Sequence, residues 1–417
     1  MAFYFVLRSL NSNFASNKNN MSIAIFTLTS DLHQESSVET MTGEFLSGLN
    51  FDYEYFGGNY ASYGSHSLDL IFVRTGGTEG IFKTLLPQLQ AQSHSPFYLL
   101  TSGKSNSLAA SMEILSFLRQ NGLMGEIIHG SNEYVCRRTK LLAKAGEAKM
   151  KLKGCRLGII GKPSDWLISS NADKDRIKAA LGIDLTDIPM QELLEEIEKT
   201  PLREPEESAQ ETVIREALPV ANQIYDALKK IVGRYRLEGF TIRCFDLLTA
   251  IHNTGCLALA KLNSEGIIAG CEGDVPAMLS MKIAQALTGK SGFQANPASI
   301  NPETGEMVFA HCTIPLNLVE RYEFDTHFES GIGIGIRGYM KEGGVTIFKV
   351  SGDLSRHFIE EGELIRNESK PDLCRTQQVI QLSNPDKTSY FLSEPIGNHH
   401  IILPGHHKEL LSTFLNE

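Results

Sequence analysis

Three short stretches of this chain carry the side-chain types that hold a divalent cation. The first is Gly270-Cys271-Glu272-Gly273-Asp274-Val275-Pro276, where an apolar run over 266–269 ends in two acids two residues apart, just before a helical pattern. A carboxylate at the C-terminal end of a strand in an open α/β sheet stands where ligands bind. Asp274 also holds the place of a helix N-cap, with a proline in the first turn behind it, so two uses are open to it. Glu272 has no capping role to explain it. Set between apolar runs, it needs a partner to offset lost hydration if it is buried. The second stretch, Val308-Phe309-Ala310-His311-Cys312-Thr313-Ile314, puts one imidazole on an apolar strand, as a core residue or as a ligand. The third, Gly397-Asn398-His399-His400-Ile401-Ile402-Leu403, has two adjacent histidines. On an extended strand these point to opposite faces, so one of the two serves any single site. His406-His407 follows a glycine-led turn and reads as exposed. One Glu and two His from separate strands suit Mn²⁺ or another divalent cation, although no compact ligand motif such as HExxH ties them together.

These residues must be positioned by a large and mixed scaffold. From residue 23 to about 290 short apolar runs alternate with helical spacing, which predicts parallel sheets covered by helices. Strands are expected at 23–28, 68–73, 97–100 and 126–128, then at 155–160 and 239–244. Helices are expected at 108–118, 173–181, 220–235 and 275–287, and the acid-rich stretch 184–216 reads as exposed helix and loop. Beyond 290 the pattern changes to short β-rich runs at 307–314, 331–338, 345–350 and 363–366, separated by turn residues, as in an antiparallel barrel or sandwich. The expected fold is therefore α/β: two Rossmann- or flavodoxin-like parallel-sheet domains followed by a β-rich, barrel-like C-terminal domain. The expected boundaries are 21–130, a basic linker helix at 131–153, 154–290 and 291–417. Residues 1–20, an apolar patch followed by an Asn- and Ser-rich stretch, are expected to be a non-native or disordered extension ahead of a start at Met21.

Two glycine-bearing sets have the composition of ligand loops. Gly331-Ile332-Gly333-Ile334-Gly335-Ile336 alternates at period two, as a strand does, and opens no helix, so it is not a dinucleotide loop. Gly76-Gly77 and Gly103-Lys104 follow strands and precede helices, as anion-binding turns or as plain βα connections, and neither has P-loop spacing.

Composition narrows the partners. A formal net charge of −10 argues against a nucleic-acid partner gripped by a broad basic surface. Seven scattered cysteines without a CxxC pair suggest neither a disulfide framework nor a zinc knuckle, and fit a reducing, cytoplasmic compartment. No run approaches the ~20 apolar residues of a membrane-spanning helix, so no membrane partner is expected.

The order of the Cys271-Glu272-Gly273-Asp274 turn, the His311 strand and the Gly397-Asn398-His399-His400 segment, on this three-part layout, resembles the L-fucose isomerase-like and L-arabinose isomerase-like proteins over residues 21–417. The resemblance implies an aldose–ketose isomerase of carbohydrate metabolism that works through an enediol and assembles as a trimer or hexamer. It implies Glu272 as metal-bound and catalytic, Asp274 as catalytic, His311 and His399 or His400 as metal ligands, Asn296 and Asn398 as sugar-binding groups, and Mn²⁺ as the cation. One departure stands out. The family carries a second acidic ligand after the helix that follows the Glu turn, and Gly292-Phe293-Gln294-Ala295-Asn296-Pro297 contains no carboxylate. Asp274, Asp325 and Glu329 are the acids left to take its place. The alternative is a sugar-binding or regulatory relative that has kept the fold and lost turnover.

Overall fold

The computed structural model describes residues 22–203 and 212–416; the expected extension and the start at Met21 lie outside them. The chain divides into two compact units. Among the described residues, one comprises 22–150 with 409–416, and the other 151–203 with 212–408.

In the first unit, β1 (Ile23–Leu28), β2 (Glu54–Gly57), β3 (Leu68–Val73), β4 (Phe97–Leu100) and β5 (Gly125–Ile128) form a parallel sheet of order β2-β1-β3-β4-β5. Every residue of β1 is buried, which explains why it is apolar except for Thr27: helices cover both faces of a parallel sheet. The expected strands fall into place. β2 has no clear sequence signal because it is short and its exposed and half-buried residues include Glu54 and Gly57. The basic helix spans Asn132–Leu152, and within this unit Arg138 donates to Glu126 on β5 at 2.7 and 2.6 Å.

The second unit begins with β6 (Arg156–Ile160), β7 (Asp184–Ile188), β8 (Gly239–Ile242) and β9 (Ile268–Gly270), parallel and in the order β7-β6-β8-β9. β7 lies in the acid-rich stretch that composition marks as exposed helix and loop. It is an edge strand, and edge strands carry charge on their open side. After the helix Val275–Thr288 come β10 (Phe293–Ile300), β11 (Glu306–His311), β12 (Arg321–Asp325), β13 (Gly335–Tyr339), β14 (Gly343–Val350), β15 (His357–Glu368), β16 (Thr376–Leu382) and β17 (His400–Pro404). Six of them close an antiparallel barrel of order β10-β11-β16-β15-β14-β17, whose core includes Phe293, Phe309, Ile347, Ile380 and Ile402. β12 and β13 form a separate hairpin. The alternating 331–336 stretch is strand only from Gly335 onward. Gly331 and Gly333 have φ of +67° and +63°, so the part before it is the hairpin's tight connection.

Two features of this unit bring the three chemistry-bearing stretches together and hold them. β10 pairs with both β11 and β17, through Asn296↔Ala310 and Ala295↔His400, so the His311 and His399 stretches flank one strand. The outer edge of β9, which leads into Glu272, is satisfied by a side chain. Asn263 accepts from the Ala269 N–H at 2.9 Å, and donates to the Ala269 carbonyl at 2.8 Å and the Leu259 carbonyl at 3.0 Å. In Asn263→Ala the buried Ala269 groups lose their partners, which should lower unfolding stability by about 2–4 kcal/mol in denaturant titration. Asn263→Asp should also destabilise, because a carboxylate cannot donate to either carbonyl. Wild-type stability in both variants would refute this role.

Candidate metal centre

The turn after β9 holds an unusual backbone. Glu272 has φ +63° and Gly273 φ +71°. A residue with a Cβ in the left-handed region costs about 1–2 kcal/mol, so the surroundings must impose the conformation on Glu272. They do so with hydrogen bonds on every side. The Ser164 N–H donates to the Glu272 carbonyl at 2.9 Å, the Gly273 N–H to the Ile242 carbonyl at 2.9 Å, and the Cys271 N–H to the Gln294 side-chain oxygen at 2.9 Å. The Gln294 amide also donates back to the Cys271 carbonyl at 3.3 Å. Position 273 admits only glycine, since a Cβ there would lie 2.5 Å from the Lys162 carbonyl oxygen.

This turn aims Glu272 at two imidazoles. Glu272 Oε1 lies 3.6 Å from His311 Nε2 and 3.4 Å from His399 Nε2, and one ligand atom from each of the three residues fits within 4.8 Å of the others. All three side chains are buried. Among the described residues His399 Nε2 has no hydrogen-bond partner, although it is buried and points at the carboxylate. On the other side of the ring, Nδ1–H donates to Asp274 Oδ2 at 2.9 Å. A carboxylate behind an imidazole fixes the tautomer that leaves Nε2 free to bind an ion. His311 Nδ1 accepts from the Cys312 N–H at 2.9 Å, and the Thr313 hydroxyl lies 3.1 Å from the same nitrogen. Two imidazoles and a carboxylate, with one buried nitrogen left without a hydrogen bond, are a donor set that fits a divalent cation.

Asp274 takes the capping use and not that of a group in the cavity, and it also backs His399. Its Oδ1 accepts from the Ala277 N–H at 2.8 Å as the N-cap of the helix Val275–Thr288, and its Oδ2 faces His399 and Lys349 Nζ, the latter at 3.5 Å. It is fully buried and turned away from the site's cavity. Burial disfavours its charge, but Lys349 and His399 outweigh that and hold its pKa at about 2. For Glu272, burial is likewise outweighed, chiefly by the charge of His399, and its carboxyl lies well below the usual range. Burial lowers His399, yet Glu272 and Asp274 raise it further, to about 9.

The structure does not bring His400 into this group. Its Nδ1 lies 3.0 Å from the Asn398 carbonyl, its Nε2 lies 3.0 Å from the Tyr390 hydroxyl, and its ring sits among Phe358, Tyr390 and Phe391. Successive residues of an extended chain face opposite ways, and here His399 takes the site while His400 takes the core. Asn398 donates to Asn296 Oδ1 at 3.0 Å. Asp325 is paired with Arg337 at 2.7 Å and Arg375 at 3.4 Å.

A cavity of about 40 Å³ opens beside the cluster, bordered by Glu272, His311, Asn296, His327, Glu329 and Phe245. Five of the seven cysteines (Cys244, Cys256, Cys271, Cys312 and Cys374) complete its wall, so thiols scattered in sequence gather at one place. Trp166 donates from Nε1 to Glu272 Oε2 at 2.6 Å and lies edge-on to Phe245. Sequence reasoning passed over Trp166, Gln294 and Lys349. The lone tryptophan in the loop after β6 was the available signal, since that loop also lies at the C-terminal end of a parallel strand.

No protein-family model matches the chain. Over 305 residues, 69% of its length, the chain is 25% identical to a protein named sulfoquinovose isomerase from Priestia aryabhattai, of which it covers 68%. The same figures hold for the sulfoquinovose isomerase of Priestia megaterium. A third protein of that name, from Alkalicoccus urumqiensis, is 23% identical over 261 residues, 59% of each chain. These relatives support a sugar-isomerase family. Among the described residues no helix is long and apolar enough to cross a membrane.

In the cation-free protein His399 carries a proton near neutral pH, and an ion must displace it. Mn²⁺ affinity should therefore rise as pH increases toward about 9, by up to tenfold per unit, with a proton released on binding. His399 contributes the opposite trend to stability without the ion. Its pKa is raised on folding, so its contribution is complete below the unfolded value of about 6.5 and is lost as pH climbs through about 9. Quenching of Trp166, the sole tryptophan, reads binding directly. Asp274→Asn should weaken Mn²⁺ by about 10–100-fold. A pH-independent affinity, or an unaltered one in Asp274→Asn, would contradict this arrangement.

Proposed function

We propose that this chain is a metal-dependent aldose–ketose isomerase of the L-fucose isomerase-like and L-arabinose isomerase-like group, acting in cytoplasmic carbohydrate metabolism with Mn²⁺ as its cation. The single observation that carries the reading is the meeting of Glu272, His311 and His399 from three separate elements, with the buried His399 Nε2 lacking a hydrogen bond and Glu272 and His311 bordering a cavity. The relatives' names make sulfoquinovose the first substrate to try.

A bound divalent ion supplies Lewis-acid polarisation of a sugar carbonyl and its neighbouring hydroxyl, which acidifies the C–H next to the carbonyl. The chain's own residues do the rest. Asp274 sets the His399 tautomer, and Trp166 holds one oxygen of Glu272 so that the other stays aimed at the imidazoles. Asn296, which borders the cavity, offers its amide to a sugar hydroxyl, with Asn398 behind it. The thiol and aromatic wall keeps water from competing with these groups. A volume of about 40 Å³ is room for roughly three waters. It admits the reacting end of an open-chain sugar rather than a whole ring, and a homo-oligomer, trimer or hexamer, would cover the remainder.

One observation favours a second reading, a sugar-binding or regulatory relative without turnover. The β10 stretch brings no carboxylate to the cavity: Gln294 is occupied with Cys271, and Asn296 with Asn398. The two readings separate in one experiment. Sulfoquinovose, glucose, fucose and arabinose are incubated with protein and Mn²⁺ and followed by proton NMR, beside thermal-shift binding. Conversion that disappears with chelator and returns with Mn²⁺ is the expected result. Binding without conversion across the panel would favour the second reading, and full conversion in excess chelator would overturn the metal-dependent one.

A further inference from the structure

Isomerisation needs a group that moves a proton between neighbouring carbons, and the cavity must supply it. Glu272 is committed, with Oε2 bound by Trp166 and Oε1 facing both imidazoles. Asp274 is fully buried and does not border the cavity. Glu329 borders it but is exposed, and among the described residues no hydrogen bond fixes its side chain. One imidazole outside the candidate ligand set meets the requirements. His327 lies on the β12–β13 connection, is only 8% exposed and borders the cavity.

From this placement we infer that His327 is the acid–base residue of the proposed isomerisation, standing in for the carboxylate that β10 lacks; the inference rests on the isomerase reading. The loop is built to hold it. The His327 N–H donates to the Ile332 carbonyl at 3.0 Å, the Gly331 N–H donates to the His327 carbonyl at 2.8 Å, and Arg375 Nε donates to the Thr326 carbonyl at 2.7 Å. Gly333 sits so close to Thr254 that a Cβ would lie 2.7 Å from its methyl group. On the ring, Nδ1 lies 3.0 Å from the Ser330 hydroxyl, while Nε2 has no partner among the described residues. The ring stands edge-on to Phe245 at 5.5 Å, and Phe245 edge-on to Trp166 at 4.7 Å, so one aromatic wall links His327 to the residue that holds Glu272. Burial, the largest cause, holds the His327 imidazole below its ordinary range, so it is neutral and able to accept a proton near pH 7.

The step balances without a co-reactant. Nε2 takes the proton from C2 of the aldose, and that C–H electron pair becomes the C1–C2 double bond as the carbonyl electrons move to O1. The O2 proton then passes to O1, the C2–O2 carbonyl forms, and C1 takes the proton back from Nε2. C2 is oxidised and C1 reduced within one molecule.

The test is His327→Gln with Mn²⁺ and the best-converted sugar of the panel above. The expected result is a fall in kcat of about 10²–10⁴-fold, with KM and the Mn²⁺ quenching of Trp166 changed by less than about threefold. A kcat near wild type in His327→Gln overturns the inference and leaves the isomerase reading standing. If that variant no longer binds Mn²⁺, Ser330→Ala decides. It keeps the imidazole but frees its Nδ1, and should lose about tenfold in kcat at unchanged Mn²⁺ affinity, whereas a wild-type kcat overturns the inference. A wild-type protein that converts no sugar overturns both.

Discussion

The contact between Asp274 and His399 holds the rest of the site together. One buried carboxylate caps the first turn of the helix Val275–Thr288, receives the His399 Nδ1 proton and faces the buried Lys349 of β14. The parallel-sheet part of the unit contributes the acid, and the barrel contributes both basic partners. A charge of this kind is costly to bury alone and is tolerated here because every direction from it ends in a donor. Its geometry is therefore over-determined, and the imidazole it holds inherits that rigidity.

A second constraint acts on the neighbouring residue. Glu272 sits in a backbone conformation that disfavours its side chain, and several hydrogen bonds keep it there. Gln294 is central to this. Its amide brackets the Cys271 backbone, so the strand that flanks both histidine stretches also sets the height of the Glu turn. Strain concentrated at one residue, with supports drawn from several elements, is the pattern of a position kept for its chemistry rather than for stability.

Most of the architecture is legible in the sequence because its signals are local. The buried β1 and β3 are apolar but for Thr27 and Asp69, and the change to a barrel shows as β-rich runs separated by turn residues without helical spacing between them. The sequence does not signal β7 and β12, because an edge strand and a hairpin outside the barrel do not need an apolar face, nor β10 and β16, whose polar residues such as Gln294, Gln377 and Gln378 break their apolar pattern. At the site, residue type and strand parity identified Glu272, His311 and the His399/His400 pair, but choosing between those two histidines needed the register of β17 against β10. Trp166, Lys349 and His327 could not be assigned from spacing. Each is far in sequence from what it touches, and only closure of the sheet, barrel and hairpin brings them together.

On the isomerase reading, the missing carboxylate in β10 has consequences beyond a lost ligand. An amide at position 296 adds no negative charge, so a cation held by one carboxylate and two imidazoles is bound less tightly but is also less neutralised. The Lewis-acid polarisation such a cation would supply, at a sugar carbonyl and at the charge developing beside it, would be correspondingly stronger. The same substitution removes an acid–base group from the ion's immediate surroundings, which shifts that task to whatever titratable side chain the far wall supplies. Here the far wall is the connection between β12 and β13, pinned by Arg375 and Thr254 and carrying a buried imidazole. On that reading the two tasks are divided within one cavity: charge stabilisation would belong to the cation site and proton transfer to the hairpin.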